Sequence, residues 1–161
     1  RQYPGATGLS GAAAGGDTLL AKCYNKVDMQ YGLYIPNRYY WSYYDVPERD
    51  WMYEHATQVK YIVERPVCDD WRDRWTTEKW WRDNFARNEA MVRDADVYIA
   101  ISNHSPDDVL QYREIRGGTA ACIRDIVRIG GTEAGDGKRE IAVHWICPID
   151  LTKSRTVEYV R

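Results

Sequence analysis

Two glycine-rich stretches carry the residue types best suited to chemistry: "SGAAAGGD" at positions 10–17 and "RGGT" at positions 116–119. Side chains no larger than a methyl group between Gly11 and Gly16 let a ligand come close to the backbone. Each stretch also stands just ahead of a helical pattern, where unpaired N–H groups and the positive end of the helix dipole attract an anion. A phosphate is the ligand this arrangement suits. The alternative is that the glycines only make tight turns. Neither stretch is a P-loop, since no Gly-Lys-Ser/Thr follows, and neither is a G-x-G-x-x-G fingerprint. The candidate ligand residues are Ser10, Gly11, Ala12, Gly15 and Asp17 in the first stretch and Gly117, Gly118 and Thr119 in the second. Two junctions in one α/β chain could grip one nucleotide together.

Other side chains are weighed singly. Asp17 opens a helix, where a carboxylate caps the end or compensates the dipole, and where it could also hold a ribose hydroxyl or position the turn. Arg87 and Asn88 fall on a helical stripe expected to face a sheet, which points to ligand or loop contacts. Asp96 and Glu114 are further carboxylates near the expected ligand edge, and His104 and Asp107 lie in the loop after the main strand. The histidines His55, His104 and His144 share no ligand spacing, so no metal site is expected, and no catalytic residue is identified. The aromatic run Tyr39–Tyr44 reads as an interface, a packed lid or a base-stacking surface.

The elements that must position these residues follow from periodicity. Short β-rich runs alternate with helical patterns, the pattern of βαβ units around a mostly parallel sheet. Strands are predicted over 6–10, 31–35, 61–64, 97–102 and 141–146. Between them, Leu19, Leu20, Cys23 and Val27 share one helical face. A short helix is predicted over 51–58, and a longer one over 76–93, begun by Thr76 and Thr77, with Trp81, Phe85, Asn88 and Val92 on its apolar stripe. The "CDDWRDRW" segment reads as a loop. "DVYIAIS" reads as a strand buried on both faces. The helix opened by Gly117 and Gly118 turns Cys122, Ile123, Ile126 and Val127 inward and ends at Gly130 and Gly131. The tail from Pro148 onward is expected to add an edge element.

Composition narrows the function classes. A chain of 161 residues is about one domain, here residues 1–161 with a core near 6–146 and an extension over 147–161. A formal net charge of −2 argues against a general nucleic-acid or membrane surface. No apolar run reaches membrane-spanning length. The four cysteines, Cys23, Cys68, Cys122 and Cys147, lack metal or disulfide spacing and read as buried thiols in a reducing cytoplasm. Thirteen Tyr and seven Trp against one Phe favour partly wet surfaces such as pockets and subunit interfaces, which suits a homodimer.

Three motifs in order carry a family resemblance. Gly11, Ala12, Gly15 and Asp17 are similar to a G-A-x-G-x-D turn, with one extra residue between Ala12 and Gly15; Arg87, Asn88 and Met91 with Ala95 and Asp96 match an R-N-x-x-M helix leading to an A-D strand; and Gly118 with Thr119 matches a G-T pair opening a later helix. Over roughly 7–146 the chain thus resembles the SLOG superfamily, particularly its YspA-like members. The resemblance implies a Rossmann-like, three-layer α/β sandwich that binds nucleotides or nucleotide-derived ligands, with no further cofactor. The enzymatic LOG-type phosphoribohydrolase branch carries acidic residues just after the G-T pair, where this chain has Ala120, Ala121 and Cys122. A methyl group cannot act as a general acid, which leaves a ligand-binding or sensing domain ahead of cleavage at an N-glycosidic bond. An assembly protein using the Tyr/Trp belt is a third reading. Family members also carry a strand–helix pair ahead of the first glycine turn, where only "RQYPG" stands here, so the resemblance implies either a natural start upstream, the favoured reading, or a rearranged topology.

Overall fold

The computed structural model describes residues 4–13, 15–43, 47–64, 77–133 and 136–161. The chain is a mixed α/β protein that divides into two compact units, residues 1–87 and 88–161.

The first unit is built on three parallel strands. β1 (Gly8–Ser10) pairs with β2 (Tyr31–Ile35), which pairs with β3 (Gln58–Tyr61). Helix α1 (Gly16–Lys26) connects the first two strands, and α2 (Tyr40–Tyr43) and α3 (Arg49–His55) connect the second and third. Strand β2 lies between two partners and is buried at all five residues, as an apolar run in the middle of a parallel sheet should be. Its Tyr31, Leu33 and Ile35 pack with Ala21, Tyr40 and Met52. Helix α4 (Thr77–Asp94) begins in this unit and ends in the next.

The second unit centres on β6 (Arg139–Ile146). This strand pairs in parallel with β4 (Tyr98–Ile101) and antiparallel with β5 (Thr132–Glu133) and β7 (Arg155–Val160). Helices α5 (Pro106–Gln111) and α6 (Gly118–Ile129) pack on one face, where Val109, Ala120, Ile123 and Ile126 meet Tyr98, Ala100, Ile141 and Val143. Residues paired across strands share a face, so Ile99, Ile101, His144, Thr156, Glu158 and Val160 form the opposite one.

Several sequence expectations need correction. The third strand begins and ends earlier than 61–64. Leu19 and Cys23 of α1 and Val27, just beyond its end, are exposed, and the buried positions of the helix are Thr18 and Ala21. Thr18 and Ala21 form a small-residue face toward the sheet, so Leu19 turns outward and Leu20 is half-buried. On α4, Trp81 and Phe85 are 47% and 45% exposed and stack on each other, while Asp83, Asn84, Arg87 and Asn88 are buried with Val92. Hydrogen bonding to turns, set out below, outweighs hydrophobicity there. Strand β4 is not buried on both faces, because Ile99 is 40% exposed and β6 is its only strand partner among the described residues. The tail does supply an edge strand, β7. Tyr44, Cys68, the 68–75 loop and Thr76 lie outside the described residues. Among the described residues, no helix is long and apolar enough to cross a membrane, and none of the His, Cys, Asp and Glu side chains form a group that could hold a metal ion.

Candidate functional site

The first glycine junction, in the first unit, is closed by its own neighbours. The Ser10 hydroxyl accepts from Ala12 N at 3.2 Å and donates to the Asp17 carbonyl at 3.2 Å. Asp17 Oδ2 accepts from Ala13 N at 3.1 Å, and Thr18 Oγ1 donates to the Ala13 carbonyl at 3.0 Å. Arg87 Nη1 donates to the Gly11 carbonyl. Two amides and two carbonyls of residues 11–13 are therefore held by side chains, which accounts for Ala12 tolerating φ 60°. The close approach that Gly11 permits is taken up inside the chain: a Cβ there would lie 2.7 Å from Arg87 Nη1 and 2.8 Å from Asp17 Oδ2.

Asp17 thus positions the turn and places its negative charge in the first turn of α1. Burial and then the Asp17 carboxylate raise the Tyr24 phenol above its usual range. Gly15, at φ 89°, caps α1 with no side-chain acceptor, and space is open around it and Gly16. The outward part of this junction is the Gly15–Gly16 segment.

The second junction, in the second unit, is open. Gly117 caps α6 at φ 119° and offers no side chain to the first-turn amides. Nothing lies within 4 Å of the Cβ positions of Gly117 and Gly118, and Thr119 is exposed. No acidic residue stands in the first turn of α6. Its far end is satisfied instead: Arg139 Nη1 donates to the Ile129 carbonyl at 2.8 Å, and Arg161 Nη1 to the Val127 and Arg128 carbonyls at 3.0 and 2.7 Å. The dipole of α6 is neutralised at its C-terminus and left bare at its N-terminus.

The loop ahead of this junction is nonetheless fixed. Arg124 Nη2 donates to the carbonyls of Val109, Tyr112 and Ile115, at 3.0, 3.2 and 2.8 Å. One guanidinium thereby ties the end of α5 and the following loop to α6. Helix α5 provides the contrast within the same unit. Ser105 accepts from Asp108 N, and the Asp108 carboxylate accepts from Ser105 N, a complete capping box.

The structure brings together Ser10, Gly11, Ala12, Asp17 and Arg87 in one unit, and Gly117, Gly118 and Thr119 at one helix start in the other. Asn88 is buried on α4. Asp96, His104 and Glu114 are exposed. Asp107 is occupied by β7, accepting from the Tyr159 hydroxyl at 2.9 Å and pairing with Arg155 at 3.4 Å. Sequence reasoning missed Thr18, Arg124, and the buried pair Asn37 and Asp83, whose side chains meet at 2.6 Å. The i, i+4 spacing of Asp83 and Arg87 was the available signal, since it places two charges on one helical stripe. Compared with known proteins, the chain matches no family model, no curated protein and no solved structure.

Proposed function

We propose that this chain is a cytoplasmic, Rossmann-like domain that binds or senses a nucleotide or nucleotide-derived ligand, related to the SLOG superfamily. The observation that carries the reading is the N-terminus of α6. A positive-φ glycine cap, open space at Gly117 and Gly118, and no acidic residue in the first turn leave its amides available to an anion. The guanidiniums of Arg139 and Arg161 occupy the carbonyls at the opposite end of this helix. The order of the three glycine and R-N motifs along the chain adds the family resemblance. The parallel strand β1 running into the glycine-capped helix α1 suits the Rossmann-like part of the reading.

Within this reading, the phosphate belongs at Gly118 and Thr119 rather than at the first turn, whose amides at Ala12 and Ala13 are held by Ser10 and Asp17. Cys23, Cys122 and Cys147, which form no disulfide among the described residues, suit a reducing compartment. The stacked, half-exposed Trp81 and Phe85 favour self-association as a homodimer, which sedimentation at several concentrations measures.

The decisive experiment is native mass spectrometry of the purified protein, followed by calorimetric titration with AMP, ADP-ribose and cyclic nucleotides. A co-purifying nucleotide or a saturable heat supports the reading. No co-purifying nucleotide together with no heat from the panel overturns it. Release of free base or ribose phosphate would replace the binding reading with an enzymatic one.

A further inference from the structure

Helix α4 buries a stripe of polar side chains, Asp83, Asn84, Arg87 and Asn88, none more than 8% exposed. Burying charge in a small core costs free energy unless each group finds a partner. Asn84 donates to the Trp80 carbonyl within the helix at 2.8 Å, whereas the two charged groups reach the ends of adjacent strands. Arg87 donates to the carbonyl of Gly11, one residue beyond β1. Asp83 Oδ2 accepts from Asn37 Nδ2 at 2.6 Å, two residues beyond β2. Asn37 is fully buried; its Oδ1 accepts from Tyr39 N at 2.8 Å and its carbonyl from Tyr40 N at 3.2 Å, which starts α2.

Because β1 and β2 are parallel and Ser10 is in register with Leu33, their carboxyl ends share one edge of the sheet. Four residues of α-helix rise about 6 Å, close to the spacing of about 4.8 Å between neighbouring strands. One helical turn of α4 therefore reaches from one strand end to the next, with a cation over the first and an anion over the second.

We infer that Asp83 and Arg87 form one latch, through which α4 sets the turns after β1 and β2 together. Both are then positioning residues for the strand-end edge of the first unit. A rigid helix couples the turns: moving α4 at Asp83 moves Arg87 off the Gly11 carbonyl. The bond to Gly11 in turn holds the chain where Asp17 can take the Ala13 amide. The latch stands on these contacts and does not depend on which ligand, if any, binds at Gly118.

Amide hydrogen exchange tests it without a nucleotide. Asn37→Asp puts a second carboxylate against Asp83. At neutral pH the amides of both Tyr39 and Ala13 should exchange about tenfold faster or more, while that of Leu33, inside β2, holds its rate. Adding Asp83→Asn reverses the donor and acceptor, since the carboxamide introduced on α4 can donate to the new carboxylate while that group still accepts from Tyr39 N; both amides should return to within about threefold of the parent rate. Arg87→Lys is the reciprocal arm. It lacks the guanidinium fork and should speed Tyr39, in the distant turn, as well as Ala13. Should Asn37→Asp fail to fold, the double variant and Arg87→Lys decide. Acceleration of Tyr39 alone in Asn37→Asp, or of Ala13 alone in Arg87→Lys, overturns the latch, as does a double variant that remains as fast as Asn37→Asp.

Discussion

The two glycine junctions have similar sequences but differ in what occupies them. After β1, residues 11–13 are held by Ser10, Asp17, Thr18 and Arg87, and an acidic residue sits in the first turn of the helix that follows. Ahead of α6, the loop is held from below by Arg124 while the glycines themselves face open space. Glycine at position 11 is required because other atoms press against it; glycine at 118 leaves room that nothing in the chain fills. A run of glycines is therefore ambiguous until the nearest heavy atoms are known.

The largest expected effect breaks or upholds that contrast directly. Gly11→Ala forces a methyl group against Arg87 and Asp17 and strips the Gly11 carbonyl of its charged donor. It should lower stability by about 3 kcal/mol, combining overpacking with a lost charge-assisted hydrogen bond. Gly118→Ala should be neutral or stabilise by about 0.5–1 kcal/mol, as glycine-to-alanine changes in helices do. Urea unfolding of the pair decides, and equal losses would end the distinction between the junctions.

Gly118→Asp sharpens it on the binding side. A carboxylate about 4 Å from a bound phosphate repels by roughly 1–4 kcal/mol between water and an intermediate dielectric, so nucleotide affinity should fall about tenfold or more. The same carboxylate sits well on a helix N-terminus and should leave the fold unchanged or more stable by about 0.3–1 kcal/mol. Calorimetry and thermal melts on one sample separate these outcomes. Unchanged affinity in a folded variant would remove the phosphate from α6.

Ser105→Ala tests the capped helix against the two glycine-capped ones. Loss of the capping box of α5 should cost about 1 kcal/mol by chemical denaturation. Thr119→Ala should weaken nucleotide binding by about 1 kcal/mol or less, the worth of one neutral hydrogen bond.

The smallest effect is in pH. Hydrogen bonds from Ser105, its hydroxyl first, hold the Asp108 carboxyl below its ordinary range. A depressed folded-state pKa means that its contribution is present above the unfolded carboxylate value of about 4 and is lost as pH falls through the folded value. The acid limb of stability against pH should therefore be shallower in Ser105→Ala than in the parent, and identical limbs would contradict the assignment.

Periodicity located β2 at 31–35 to the residue and α4 to within one residue at each end, because long or fully apolar runs have few alternative conformations. It misplaced β3, whose exposed and polar residues carry little pattern. It assigned the wrong face to α1 and to part of α4. Hydrophobic spacing assumes that apolar side chains choose the buried side, but on α4 the buried side is chosen by Asp83 and Arg87 bonding to turns 46 and 76 residues away in sequence. Arg87 and Asn88 were recognised as polar residues on a sheet-facing stripe; Asn37 was not, because a lone asparagine after Pro36 reads as an ordinary turn.

The sequence by itself determined the alternation of strands and helices, the two glycine-led helix starts and the stop at Gly130, because backbone preferences and side-chain periodicity are local properties. The tertiary structure alone decided which glycine is pressed by neighbours and which faces open space. It also decided that one helix presents its charges to the ends of two strands, and that the carbonyls at the end of α6 are met by Arg139 and Arg161. Those outcomes depend on which distant groups arrive within hydrogen-bonding reach, and a hydrogen bond is decided over a few tenths of an ångström that no local pattern encodes.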